Sequence, residues 1–117
     1  MKIIIKGTLP NLNDYINVCR ENKYAAAEMK NKAEHIVSLY IRKRQTFDKP
    51  VFVKFTWVEP NRSRDKDNIA FAKKFIFDAL VRCGVLKGDG WKFVDGFTDN
   101  FKVDKNNPRI EVEIEEV

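Results

Sequence analysis

Histidine and cysteine are scarce: the 117 residues include one His (His35) and two Cys (Cys19 and Cys83). There is no Cys-x-x-Cys pair, and three soft ligands fall short of the four-ligand cages of structural zinc. A Ser-His-Asp triad would have to be built on His35, which has no nucleophile motif beside it. Chemistry therefore falls to carboxylates and lysines. The two thiols read as reduced, with Cys83 on an apolar helix face. No apolar run approaches the roughly 18–20 residues of a membrane span. Lys2 and Lys6 flank only Ile3, Ile4 and Ile5, against roughly 7–15 apolar residues in a secretory signal. A cytoplasmic protein that makes no membrane contact is expected.

What is present suits one compact unit. The chain is 44% hydrophobic and 33% charged, with nine Phe, three Tyr and two Trp to fill a core. Its length matches a single domain over residues 1–117, since domains cluster near roughly 100–150 residues. The net charge is +5, and it is unevenly spread. Residues 1–64 carry 13 Lys+Arg against 6 Asp+Glu, whereas residues 65–117 carry 9 against 11. A basic first half followed by a slightly acidic second half fits a polyanion held near carboxylates.

The β-branched run Lys2–Thr8 reads as a strand, and Leu9–Asn22, rich in Pro, Asn and Asp, reads as a loop. From Lys23 to about Arg44, Ala26, Met29, Ala33, Ile36, Val37, Tyr40 and Ile41 recur at spacings of three and four. That spacing predicts an amphipathic helix. Val51–Pro60 is apolar on both faces and reads as a central strand covered on two sides. A charged loop over residues 61–68 leads into a second helix, ending near Cys83 at Gly84. Strands are expected over 93–103 and 109–117, the alternating Glu111, Glu113, Glu115 and Glu116 forming the wet face of an edge strand. The order β-α-β-α-β-β predicts an α+β fold: a small mixed sheet of about four strands with two main helices packed against it.

Three acids stand apart. Asp65 and Asp67 lie one residue apart where a strand gives way to a helix, and Asp89 lies in the turn after that helix. The intervening helix is roughly 22 Å long, so Asp89 meets the others only if the chain doubles back after Gly84. Converging carboxylates require a cation, and Mg²⁺ suits a few carboxylates with waters and phosphate oxygens. Alternatively, Asp65 or Asp67 is an N-cap and Asp89 a turn residue. On a wheel of about 100° per residue, Lys74 falls about 20° from Asp67, while Lys73 falls about 120° away on the flank of the apolar stripe. Lys74 therefore shares the acids' side of the helix, as does Asp78, its i,i+4 neighbour.

The run Arg64-Asp65-Lys66-Asp67-Asn68, then Asp78-Ala79-Leu80 and Gly84-Val85-Leu86-Lys87-Gly88-Asp89, resembles the RusA family of Holliday junction resolvases. Leu9-Pro10 with Asn13 and Tyr15 matches that family's early segment. The resemblance implies a homodimeric, Mg²⁺-dependent endonuclease that nicks four-way DNA junctions in recombination and repair, in a bacterial or phage context. It implies Asp65, Asp67 and Asp89 as catalytic, metal-holding carboxylates and Lys74 as the catalytic lysine. This chain has three more residues than the family between Asp67 and Asp78, and Gly88 where the family commonly has an Asp. Arg62, Arg64, Lys66 and Lys73, with the basic run Arg42-Lys43-Arg44, are expected to contact DNA phosphates. A two-fold dimer matches the symmetry of a four-way junction. Other readings are a non-catalytic junction-binding dimer, a nuclease for other branched or single-stranded nucleic acids, and a structural module that binds no polyanion.

Overall fold

The computed structural model describes residues 1–42 and 45–117; Lys43 and Arg44, two of the expected phosphate contacts, lie outside the described residues. Strands β1 (Lys2–Lys6), β2 (Val51–Glu59), β3 (Val94–Val103) and β4 (Arg109–Glu116) form one sheet in the order β1-β4-β2-β3. β4 runs antiparallel to β1 and β2, and β3 runs parallel to β2. Helices α1 (Leu12–Glu21), α2 (Lys23–Ser38), α3 (Lys66–Ala70) and α4 (Lys73–Arg82) complete the fold. The result is the α+β architecture with a mixed four-stranded sheet that the element order predicts.

The core lies between one sheet face and the helices. Ile3 and Ile5, then Val51, Val53, Phe55 and Trp57, then Ile110, Val112 and Ile114 are buried, together with Val37 of α2 and Phe75, Ile76, Ala79 and Leu80 of α4. Each large side chain so buried is worth roughly 1.5–3 kcal/mol. The other face carries charge. Lys2 pairs with Glu111 and Glu113 at 3.6 Å, and the Arg109 Nε donates to Glu111 at 2.8 Å. β4 is therefore an interior strand with a wet face, not an edge strand. The expectation that β2 is covered on both sides also fails: it is interior to the sheet, but Lys54 on its outward face is exposed.

The helices depart from expectation in three places. The expected loop over Leu9–Asn22 contains α1, because its turn-forming residues cap a helix. The Asn11 side chain accepts from the Asp14 amide at 2.9 Å, and the Asp14 carboxylate accepts from the Asn11 amide at 3.1 Å, a reciprocal capping box. α2 ends at Ser38 rather than near Arg44; the Ser38 hydroxyl donates back to the His35 carbonyl at 2.6 Å, a bond that competes with helix propagation. The second predicted helix is two, α3 and α4, separated at Phe71–Ala72. There the amides of Ala72, Lys74 and Phe75 donate to carbonyls three residues back. Each such step turns the chain by about 120° rather than 100°. A single-helix wheel across residues 67–78 is thereby invalid. Neither Gly nor Pro marks the break; Phe71 packs on Tyr15 and Phe75, with ring centroids 5.4 and 5.6 Å away.

Candidate active site and its cationic groove

Asp65 occupies the N-cap position of α3 in extended conformation (φ −75°, ψ 147°), yet its carboxylate makes no capping hydrogen bond. It is exposed, as is Asp67 one turn-start later, whose Oδ1 accepts from the Asn68 amide at 2.9 Å. A simple capping role thus does not account for Asp65. An open groove of about 700 Å³ runs beside it, lined by Arg62, Arg64, Asp65, Lys66, Phe101 and Lys102 among others. The Lys66 ammonium lies 5.6 Å from the Phe101 ring centroid, within range of a cation–π contact.

Asp89 is delivered by a Schellman turn. Gly84 adopts φ +78°, the Val85 amide donates to Leu80 O at 2.9 Å, and the Gly84 amide donates to Val81 O at 3.0 Å. The returning segment is pinned by the Phe47 amide on Val85 O (3.0 Å) and the Thr46 hydroxyl on Gly84 O (2.8 Å). It runs back along α4 far enough for the Lys74 ammonium to reach Asp89 Oδ2 at 3.2 Å. Lys74 lies eight residues before the end of α4, about 12 Å along the axis. The doubling back that the sequence requires is present. Gly88 is sterically fixed: a Cβ there would lie 2.9 Å from the Phe93 ring, so the acidic side chain of the family pattern is excluded unless Phe93 moves.

Lys74 also donates to Asp78 Oδ1 at 3.1 Å, and Lys30 faces Asp78 Oδ2 at 3.4 Å without forming a hydrogen bond to it. The hydrogen bond that Lys74 donates to Asp78 raises the Lys74 pKa; partial burial opposes this, and the bond to Asp89 adds to it. Lys74 is therefore a fixed cation at neutral pH, suited to neutralising phosphate charge and unsuited to accepting a proton.

The remaining basic residues divide by surroundings. Arg62 is exposed on the groove, and Arg42 is exposed beside a separate cavity near Lys2 and Lys6. Arg64 is committed internally: its Nε and Nη2 donate to the buried Glu59 at 2.8 and 3.0 Å, and its Nη1 donates to Leu9 O at 2.9 Å. Lys73 is ion-paired with Asp99, lies 4.5 Å from the Phe97 ring centroid, and shares Asp99 with the Trp57 indole N–H at 2.8 Å. Asp99 did not figure in the sequence reading. Lys73 on the flank of the apolar stripe was the available sign, but its partner depends on strand register: Asp99 stands opposite Phe55.

The donors suit Mg²⁺ in kind, being exposed carboxylate oxygens that a hard cation prefers. Their grouping in this chain is incomplete. Among the described residues no three acidic, His or Cys side chains lie close enough to share a metal ion, and Asp89 is held by Lys74. The structure thus presents Asp65 and Asp67 at the start of α3, and Asp78 and Asp89 joined through the Lys74 ammonium. No helix among the described residues is long and apolar enough to cross a membrane. In comparison with known proteins, no family model matches the chain and no curated protein matches it.

Proposed function

We propose that the protein is a Mg²⁺-dependent endodeoxyribonuclease acting on branched DNA, as the resemblance to RusA-type junction resolvases implies, and that it works as a homodimer. The observation that carries this reading is the groove in which the uncapped Asp65 stands beside Arg62, Lys66 and Lys102. Cations along a groove track a phosphate backbone, and the uncapped Asp65 within it is an oxygen ligand for a hydrolytic ion.

Asp65 and Asp67 would hold the ion, joined by Asp89 only if the three acids, which do not group in this structure, close together; such an ion would supply an activated water and charge stabilisation at the leaving oxygen. Arg62, Lys66 and Lys102 grip flanking phosphates and set the register of the strand. Lys74, permanently charged, offsets negative charge that grows on the scissile phosphate. Lys74 is held by Asp89 at 3.2 Å; were Asp89 to serve as a metal ligand, the Lys74 ammonium would be free to face the phosphate.

A second reading, a junction-binding protein without cleavage, is favoured by the Lys74–Asp89 pair, which leaves one acid neutralised. Incubating a synthetic mobile four-way junction with Mg²⁺ separates the two. Paired symmetric nicks, abolished by Asp65→Asn and by chelation, are expected. Tight binding with no nicks would establish the second reading, and nicking undiminished in Asp67→Asn would refute the site.

A further inference from the structure

The two tryptophans have opposite environments: Trp57 is 1% exposed in the core, and Trp91 is 100% exposed. We infer that Trp91 is a stacking platform for an unpaired nucleobase next to the proposed cleavage site, an inference that rests on the nucleic-acid reading above. Leaving an indole wholly in water forgoes the burial that makes Trp stabilising, so the fold gains nothing visible from this residue.

Trp91 also stands on an ordered base. The amides of Phe93 and Val94 both donate to the Gly90 carbonyl at 3.0 Å, closing a turn with Trp91 at its tip. On one side of the turn the Phe93 ring packs against Gly88, where no side chain fits; on the other, β3 begins at Val94. Asp89, two residues before the indole, is held by Lys74 at 3.2 Å. The hydrogen-bonded turn thus places the Trp91 backbone two residues from the acidic residue assigned to the reaction and leaves its indole open to solvent.

The surroundings select the occupant. Around Trp91, its chain neighbours Asp89, Gly90 and Lys92 are exposed and either charged or without a side chain, unlike the contiguous apolar surface of a protein interface. A nucleobase needs only one flat π surface, with a cation near its phosphate, and Lys92 supplies that cation from the next position. Paired bases inside a duplex already have both faces stacked. Single strands and branch points offer a free face without the cost of unstacking.

The test uses the full chain in EDTA, so that binding is read without cleavage, with three probes: a single-stranded oligothymidylate, a blunt duplex of equal length and a four-way junction. Single strand and junction should quench the emission of the exposed indole while leaving the Trp57 contribution unchanged. Trp91→Ala should weaken binding to both roughly tenfold and leave duplex binding unaltered, whereas Trp91→Phe should retain most of the affinity without the quench. Unchanged affinity in Trp91→Ala, or equal quenching by the duplex, overturns the inference. So does an emission shift that follows protein concentration without DNA and vanishes with self-association, which would make the indole a protein contact. Because no metal is present, loss of the cleavage reading leaves this result standing. A wild-type chain that binds none of the three probes sinks both.

Discussion

Lys73 and Lys74 are adjacent on α4, and each meets an aspartate, yet the two pairs differ in kind. The Lys73–Asp99 side chains are 18% and 21% exposed, whereas those of Lys74 and Asp89 are 57% and 39% exposed. The inner pair is enclosed by Phe55 and Phe97 and completed by the Trp57 N–H. It fastens α4 to the edge strand β3. The outer pair joins a helix to a turn in water, where ion pairs contribute little to stability and exchange partners at low cost. One-residue displacement along a helix therefore separates a structural cation from one available for chemistry.

The largest expected effect breaks the inner pair. Asp99→Ala leaves the Lys73 ammonium and the Trp57 N–H without their acceptor and should destabilise the fold by about 2–4 kcal/mol in urea unfolding. Asp89→Ala should cost under about 0.5 kcal/mol in the same measurement. Equal losses would erase the distinction. Next comes Lys74→Ala, expected to slow junction nicking roughly 100-fold, the scale of removing one preorganised charge donor, with the urea midpoint nearly unchanged. If nicking persists at the wild-type rate, the carboxylates stand without the lysine.

Smaller effects sharpen the account of how Asp89 is placed. Gly84→Ala has room for its Cβ but must adopt φ +78°, at a cost of about 1–2 kcal/mol and with looser placement of Asp89. Gly90→Ala, at a site with open space and no positive φ, should leave thermal stability nearly unaffected. The smallest effect concerns acid. The hydrogen bond from Arg109 holds the Glu111 carboxyl below its ordinary value of 4.5. Its stabilisation is present above about that pH and is lost as pH falls through the lowered value. Glu111→Gln should therefore narrow its stability gap to wild type as the solution is acidified below pH 4.5.

Much of this fold is written locally. Ile3 to Ile5, Val51 to Trp57 and Ile110 to Ile114 mark their strands by composition and alternation, and Gly84 marks the reversal that carries Asp89 back toward Lys74. α1 is concealed because Asn11 and Asp14 suit turns and helix caps equally well. The interruption at Phe71–Ala72 carries no local sign, since it goes with aromatic contacts to Tyr15 on another helix. Lys73 and Arg64 look like phosphate ligands in one dimension; the pairing of β3 with β2 commits Lys73 to Asp99, and the turn after β2 together with the approach of Leu9 commits Arg64 to Glu59 and the Leu9 carbonyl. At the candidate site the acidic residues were legible as types and positions, but their grouping depends on long-range geometry and on a cation.

The decisive measurement is paramagnetic broadening of backbone amide signals by sub-stoichiometric Mn²⁺ in the isotope-labelled full chain. If the divided acids close around a shared ion, the amides of Asp67 and Asn68 should broaden together with those of Gly88 to Gly90, and Asp67→Asn should abolish both sets at once. Broadening confined to one of the two segments, or surviving that substitution at the other, would contradict a common metal site.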